Sequence, residues 1–329
     1  MLQTTETVST VTIRSFRAGD GPLIAEAWTR SAPTDGITYD RFRDMFLLDR
    51  NFDAKGLFVA DRAGEIVGAA YAVRRRIAAD GADLESEAGW IPFFFVVPEA
   101  RRSGIGSRLI GDVKDWLSSH GALTAYFSSY TPNYFLPGLD AERYPEAARL
   151  LARLGFTTQY ESVAMDRTLN DYCFPERTRE RIAALEAEGW TFGSPTGDDL
   201  PELIEIAGGR FNPDWARGIR EGVLGGQALE RIIAVRDPRG RMLGWAMHGT
   251  YENVLERFGP FGVLPESRGT GLGEILLHLT LERMRALGAH SAWFLWTDED
   301  SPAGHLYLKN GFSITRTFAI LHAPLARLS

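Results

Sequence analysis

One stretch of this chain is written twice. Residues 96–106 read VVPEARRSGIG and residues 263–273 read VLPESRGTGLG, which share the frame Val-x-Pro-Glu-x-Arg-x-x-Gly-x-Gly. After each copy come an amphipathic helical pattern, a β-rich segment, a second helical pattern and a Gly-Phe pair, first Gly155-Phe156 and then Gly311-Phe312. A repeat on this scale means one supersecondary unit used more than once, and two copies alone describe tandem domains, not a solenoid. The length of 329 residues agrees, since it divides naturally into two domains of about 150–170 residues. A polar stretch from Asn170 to Pro175 places the junction near 168–175, so the expected domains are 1–168 and 169–329.

The second copy indicates what the frame builds. Phe258, Phe261, Val263 and Leu264 make an apolar strand that Pro265 ends, and Glu266 to Thr270 form a short loop. Leu272, Ile275, Leu276, Leu279 and Met284 then follow at helical spacing. A strand, a glycine-bearing loop and a helix start make an anion site. Gly269, Gly271 and Gly273 leave backbone N–H groups uncovered, and the positive end of the helix points there. A phosphate or pyrophosphate is the natural occupant. Two familiar phosphate loops do not fit. A Walker loop needs Lys and then Ser or Thr after its last glycine, where this chain has Glu274-Ile275. A dinucleotide fold places its glycines after the first strand of a unit, and here they come late.

Charge narrows the partners. With 43 Asp and Glu against 36 Lys and Arg, the net charge of −7 argues against nucleic acid or an anionic membrane as the main partner. Cys173 is the single cysteine, which excludes an internal disulfide and a cysteine-based zinc cluster within one chain. The six histidines show no metal-ligand spacing, and no metal is expected. No apolar run approaches the ~20 residues of a membrane span. The opening MLQTTETVST is a loose leader over residues 1–9 without a signal-peptide core, so the expected location is cytoplasmic.

The first copy is expected to open with a strand at Val11–Phe16 and a helix bearing Leu23, Ile24, Ala27 and Trp28. A helix at Tyr39–Leu48 and strands at Leu57–Ala60 and Ile66–Val73 should follow, and Trp90–Val97 delivers the chain to the first loop. The segment Ser128–Tyr144 gathers Tyr130, Tyr134, Phe135 and Tyr144 among two prolines. Such a loop either packs against its own surroundings or walls a ligand cleft. In the second copy, Asp198 or Asp199 can cap a helix through Leu203 and Ile206, and Arg231–Val235 and Met242–His248 form two strands.

The core Arg-x-x-Gly-x-Gly, preceded by Val-x-Pro-Glu, resembles the acyl-CoA loop of the GNAT N-acetyltransferase superfamily. A second stretch adds to the likeness. Asp300 to Phe312 is similar to that family's Asn-x-x-Ala-x-x-Leu-Tyr-x-x-x-Gly-Phe, matched at Ala303, Leu306, Tyr307, Gly311 and Phe312. The resemblance covers nearly the whole chain and is weakest over each copy's first half. It implies an α/β (α+β) architecture of two tandem domains, each a mixed, mostly antiparallel sheet flanked by helices and splayed beside the loop. It also implies acetyl-CoA, or another acyl-CoA, as co-substrate. The residues carried over for that role are Val263, Arg268, Gly269, Gly271 and Gly273, with Arg101, Ser103, Gly104 and Gly106 in the first copy. Asp300 stands where asparagine is common and would make a polar contact to the co-substrate. Tyr307 falls on the family's proton-donor position, where the first copy has Leu151, which cannot donate a proton. The second copy is therefore expected to be catalytic and the first a degenerate partner.

The implied reaction is direct attack of a primary amine on a thioester. The amine must arrive as the free base, the tetrahedral intermediate needs oxyanion donors, and the expelled thiolate needs a proton. Glu256, on the strand leading to the loop, is the candidate base and Tyr307 the candidate acid. Asp298, Glu299 and His305 are further groups close by in sequence. The implied acceptor is a small-molecule amine, with a protein amine as the other class, and the chain would act as a monomer or homodimer. A non-catalytic acyl-CoA sensor would carry the same two loops. A first copy made active by its aromatic loop is a third reading.

Overall fold

The computed structural model describes residues 10–79, 83–130 and 133–326. The leader at 1–9, and Thr131 and Pro132 of the aromatic segment, lie outside them. The chain forms two compact units. The first contains the described residues up to Ala78, the run Asp83–Glu161 and the stretch from Phe318 onward; the second is chiefly Ser162–Thr317.

In the first repeat, β1 (Thr12–Ser15), α1 (Asp20–Ser31) and the single turn α2 (Tyr39–Phe42) precede β2 (Leu57–Arg62), β3 (Glu65–Val73) and β4 (Ala88–Val96). Then come α3 (Ile105–Ser119), β5 (Thr124–Phe127), α4 (Pro145–Arg153) and β6 (Thr157–Thr168). β1 to β4 pair in order as antiparallel neighbours, and β5 joins β4 in parallel. β3 is buried from Ile66 to Val73 because α1 and α3 both pack against it. α3 contributes Leu109, Ile110, Val113 and Leu117, all fully buried, and each such side chain stabilises the unit by about 1.5–3 kcal/mol. The helix expected over Tyr39–Leu48 breaks after Phe42 into a π-type turn at Arg43–Leu47, with Phe42 and Phe46 both in the core.

The second repeat begins with α5 (Glu176–Ala187), β7 (Thr191–Gly193), α6 (Leu200–Arg210), α7 (Pro213–Leu224), β8 (Ile232–Arg236) and β9 (Met242–His248). It continues with β10 (Phe258–Val263), α8 (Leu272–Ala286), β11 (Ser291–Thr297), α9 (Pro302–Lys309) and β12 (Ser313–Pro324). β7, β8, β9 and β10 form a four-stranded antiparallel sheet. From the loop onward the repeats correspond: α8 answers α3, β11 answers β5 and α9 answers α4. Ahead of α6, Thr196 and Asp199 close a capping box, the Thr196 N–H donating to Asp199 at 2.7 Å.

The units do not divide at 168/169 as the sequence suggested. β6 from Val163 to Thr168 pairs with β11, so that half of the strand belongs to the second unit. The end of β12 pairs with β5, Leu321 opposite Phe127 and Pro324 opposite Thr124, and belongs to the first. Each repeat's last strand thus completes the other repeat's unit. The physical reason lies in β5 and β11, whose edges away from the splay need a partner strand. Each long strand meets this need with its second half, Val163–Thr168 in β6 and Leu321–Pro324 in β12. Neither strand was anticipated, because each reads as exposed over its first half.

Among the described residues, no helix is long and apolar enough to cross a membrane, and no cluster of His, Cys, Asp and Glu is arranged to hold a metal. Cys173 is a free, exposed thiol.

Candidate active site

In the second unit β10 and β11 meet at one end and part. Arg257 bridges Trp293 in parallel, and the Trp293 N–H donates to the Glu256 carbonyl at 2.9 Å. Among the described residues, β10 from Phe258 onward pairs with β9 alone. Its other edge therefore carries main-chain N–H and C=O groups that no strand claims. The first unit repeats the device: Ala88–Trp90 lies beside Thr124–Tyr126, after which β4 and β5 are no longer paired. An open strand edge of this kind can bind an extended chain or supply an N–H to an oxyanion.

At the far end of β10 lies the glycine loop. Gly269 and Gly271 have φ of 77° and 88°, in the left-handed region that glycine adopts without steric cost. Gly271 is the N-cap of α8, and no side chain caps it, so the first N–H groups of the helix remain available. A Cβ on either glycine would meet nothing within 4 Å, so both face open space. Thr270 pins the loop by donating from Oγ1 to the Ser267 carbonyl at 2.6 Å. In the first unit Ser103 donates to the Ala100 carbonyl, also at 2.6 Å, and Arg102 and Gly104 have φ of 61° and 82°. The two loops are the same turn. Arg102 adopts the conformation of Gly269 at a cost of about 1–2 kcal/mol, the usual penalty for a side chain in that region.

Gly273 and Gly106 have another local role. A Cβ at Gly273 would sit 3.4 Å from Leu306, and one at Gly106 would sit 3.0 Å from Leu150. They let the later helix approach the start of α8 or α3. Arg101 turns back on its own unit, donating from Nε to the Val96 carbonyl at 3.1 Å and from Nη2 to the Ser31 carbonyl at 2.9 Å. Arg268 is exposed at the corresponding place, and Val263 is half-buried at the end of β10. Open glycines, an uncapped helix start and a nearby guanidinium fit the pyrophosphate of an acyl-CoA.

Tyr307 lies where the strands part. Its ring centroid is 5.9 Å from Phe258 and 6.2 Å from Phe261 on β10, 4.6 Å from Phe294 on β11 and 5.5 Å from Phe312. Its side chain is 7% exposed, and its hydroxyl makes no hydrogen bond among the described residues. Burial in this apolar ring raises the phenol well above its ordinary pKa, so the proton stays on at neutral pH. The helix that holds it is fixed at both ends. Ser301 caps α9 by accepting the Gly304 N–H at 3.0 Å, while Asn310 Oδ1 lies 3.0 Å from His278 Nε2 on α8. Gly304 is required, because a Cβ there would lie 2.3 Å from the Asp298 carbonyl oxygen.

The remaining candidates separate. Glu256 is half-buried at the closed end of the splay, just before β10 begins, and not on the strand itself. Asp300 is exposed just before the cap, its N–H donating to Asp298 Oδ1 at 3.0 Å. Asp298, Glu299 and His305 lie on the same stretch around the start of α9, and all three are exposed. In the first unit, Leu151 occupies the position of Tyr307 and is fully buried. The aromatic segment packs within that unit: Phe135 meets Trp28 edge-on at 5.1 Å, and Tyr144 donates to Asp35 at 2.5 Å. Tyr130 donates to Asp49, and the packing reading of this segment is the one realised. Sequence reasoning missed Ser301 and Gly304, which fix the start of α9.

His248, at the end of β9, is fully buried, with Nδ1 2.9 Å from the Leu255 carbonyl. A carbonyl only accepts, so Nδ1 carries a proton. Burial pushes its pKa down to about 4 from the ordinary 6.5. Below pH 6.5 the unfolded chain takes up a proton that the folded chain refuses until about pH 4, so stability falls with pH across that window. The loss from this one group should reach about 3 kcal/mol. His248→Asn keeps a donor for the Leu255 carbonyl and removes the titration. Urea unfolding at neutral and acidic pH should show a smaller acid loss in the variant; equal losses would refute the assignment.

The comparisons agree with this geometry. The acetyltransferase (GNAT) family pattern matches residues 23–134 and 200–312, more than half of the chain and once per repeat. The chain belongs to the GNAT acetyltransferase family, as a tandem two-domain member. Among curated relatives, a mycothiol acetyltransferase from Pseudarthrobacter chlorophenolicus is 27% identical over 237 residues, which is 66% of this chain and 65% of that protein. The match thus spans just under two thirds of the relative. Among solved structures, the glucosamine N-acetyltransferase region of a fungal multi-domain β-N-acetylglucosaminidase has a TM-score of 0.77 at 19% identity, over 95% of this chain and 38% of that one. A tandem GNAT protein from the clavulanic acid biosynthesis pathway has a TM-score of 0.66 at 13% identity, over 97% of this chain and 100% of that one. At those identities the two structures speak for the fold.

Proposed function

We propose that the chain is an acyl-CoA-dependent N-acetyltransferase, transferring acetyl from acetyl-CoA to a primary amine, with the reaction carried by the second unit. The observation that carries this reading is Tyr307: a buried phenol without a hydrogen-bond partner among the described residues, between two strands that part beside an uncapped glycine loop. The loop N–H groups of Gly269 to Gly273 would hold the co-substrate's pyrophosphate, with Arg268 beside them. The open edge of β10 would bind the pantetheine arm and offer an N–H to the oxyanion, worth about 3 kcal/mol in comparable oxyanion holes. Glu256, at the closed end, would take the proton from the ammonium, directly or through water. The amine attacks the thioester carbonyl, the tetrahedral intermediate collapses, and Tyr307 protonates the departing thiolate. No protein nucleophile enters, in keeping with an exposed Cys173. The first unit keeps the loop and lacks the donor, which suits a partner that binds without turning over. A small-molecule amine is the favoured acceptor, and the curated relative is itself named for a small molecule, mycothiol.

The test is a calorimetric titration with acetyl-CoA followed by a thiol-release assay with glucosamine and other primary amines. Saturable binding and amine-dependent thiol release are expected, with one site per chain if only one loop is competent and two if both are. Glu256→Gln should lower the rate most at the acidic end of the pH range, where the acceptor is protonated. Binding without thiol release for any amine would favour a sensor, and no binding would remove the reading altogether.

A further inference from the structure

One turn beyond Tyr307, side chains from four parts of the second unit enclose the end of α9. Arg167 comes from β6, where it pairs with Ala292 of β11. Tyr172 comes from the connection between β6 and α5, His278 from α8, and Asn310 is the C-cap of α9 itself. Tyr172, His278 and Asn310 are buried, and Arg167 is half-buried.

Their contacts form a closed ring. Asn310 Nδ2 donates to the Leu306 carbonyl at 2.8 Å, which turns Oδ1 toward His278 Nε2 at 3.0 Å. An amide oxygen only accepts, so Nε2 carries a proton. Burial lowers the His278 pKa below its ordinary 6.5, so at neutral pH Nδ1 is left as an acceptor for the Tyr172 hydroxyl at 3.1 Å. That hydroxyl also lies 3.2 Å from the His278 carbonyl. Arg167 closes the ring: its guanidinium lies over the Tyr172 ring at 4.9 Å, and Nη1 donates to the Asn310 carbonyl. A helix leaves carbonyls unpaired at its end, and a cation there suits the negative pole of its dipole. Gly311 makes the room, because a Cβ on it would lie 3.2 Å from Arg167 Cζ.

The first unit puts a cation at the same point by another route. Lys114 of α3 donates to the Leu154 carbonyl at 3.0 Å, and its ammonium lies over Phe156 at 5.5 Å. Leu154 precedes Gly155 as Asn310 precedes Gly311. The rest of the ring has no counterpart there, since Leu154 stands for Asn310 and Gly111 for His278. A cation on this carbonyl thus ends the helix in both units, whereas the buried polar ring accompanies the tyrosine and not Leu151. The ring also reaches the tyrosine directly. The Asn310 and Phe312 N–H groups both donate to the Tyr307 carbonyl, at 3.0 and 3.1 Å, so a rotation of this end of α9 moves the phenol.

We propose that Arg167, Tyr172, His278 and Asn310 are positioning residues for Tyr307, fixing the rotation of α9 so that the phenol faces the splay. Arg167 does so from the strand that closes the first repeat. The assignment rests on the reading of Tyr307 as general acid, and the experiment keeps the two apart. In folded protein, Arg167→Met should lower kcat about ten- to a hundredfold, the cost of an ångström-scale misplacement, with the KM for acetyl-CoA within about twofold. Arg167→Lys keeps a cation for the Asn310 carbonyl, as Lys114 does for Leu154, and should recover most of the rate. Combined with Tyr307→Phe, Arg167→Met should cost nothing further, because no phenol is left to position. An equal loss in both backgrounds, or a KM effect without a kcat effect, would make the ring an ordinary fold contact and overturn the proposal.

A second readout needs no turnover. With an isotope label at the tyrosine Cζ, the NMR signal of Tyr307, identified by its absence in Tyr307→Phe, should shift in Arg167→Met and return in Arg167→Lys. An unmoved signal overturns the proposal whatever the rates. If the signal moves while Tyr307→Phe turns over normally, the general-acid reading falls and the positioning of the side chain stands. Should Arg167→Met not fold, Tyr172→Phe keeps the ring beneath the guanidinium and removes only the hydroxyl. It should move the same signal and lower kcat in the same Tyr307-dependent way, and a silent Tyr172→Phe would count against the proposal.

Discussion

Gly271→Asp should reduce acetyl-CoA affinity about a thousandfold. Two costs add. At a φ of 88° any side chain pays the left-handed penalty of about 1–2 kcal/mol, which enters the affinity because the free loop relaxes out of that conformation and binding must restore it. The new carboxylate also projects into the open space beside the loop, where nothing lies within 4 Å of its Cβ. If a phosphate occupies that space about 5 Å away, the repulsion at an effective dielectric near 20 is about 3 kcal/mol. The sum of about 4–5 kcal/mol corresponds to roughly three decades in Kd. Gly271→Asn isolates the charge, because asparagine tolerates the left-handed region and is neutral; it should lose about tenfold at most. Calorimetry on both variants, with Gly104→Asp in the first unit as the parallel change, gives each loop its own answer. If Gly271→Asp binds normally and Gly104→Asp does not, the roles of the units are reversed. If both bind normally, the phosphates sit elsewhere.

The parts of this molecule that were legible in the sequence are those set by local chemistry. The loops could be read because turn geometry needs glycine at fixed offsets, and Gly104, Gly269 and Gly271 all have positive φ. Tyr307 could be located because its spacing to Gly311 is one helical turn, and the structure carries it on α9 just ahead of that glycine. The helix faces followed from apolar spacing, as in α3, where Leu109, Val113 and Leu117 all point inward. What could not be read was non-local. Nothing in Val163–Thr168 says that its partner is β11, more than a hundred residues later, nor that Leu321 would face Phe127. Pairing over such separations is decided by which edges remain open once the local pieces have formed. Glu256 is intermediate: its sequence position relative to the loop was clear, whereas its place just outside the strand depended on where β10 begins.

Tyr307→Phe should lower kcat by about 10²–10³ while leaving acetyl-CoA affinity within a factor of two, the size expected when a positioned general acid is removed. The substitution is unusually clean here. The hydroxyl makes no hydrogen bond among the described residues, so its loss should leave the folded state as stable as before or slightly more so. The ring contacts with Phe258, Phe294 and Phe312 survive in phenylalanine, so the shape of the splay is kept. A fall in turnover without a fall in Tm or affinity then has one remaining cause, the missing proton. The pH profile supplies a second check. Because burial raises the phenol above its ordinary pKa of 10.0, the wild-type rate should not decline on the alkaline side until above that value. An alkaline limb well below it would belong to another acid. Turnover unchanged in Tyr307→Phe would remove this residue from the mechanism, and with it the argument that Leu151 makes the first unit the silent one.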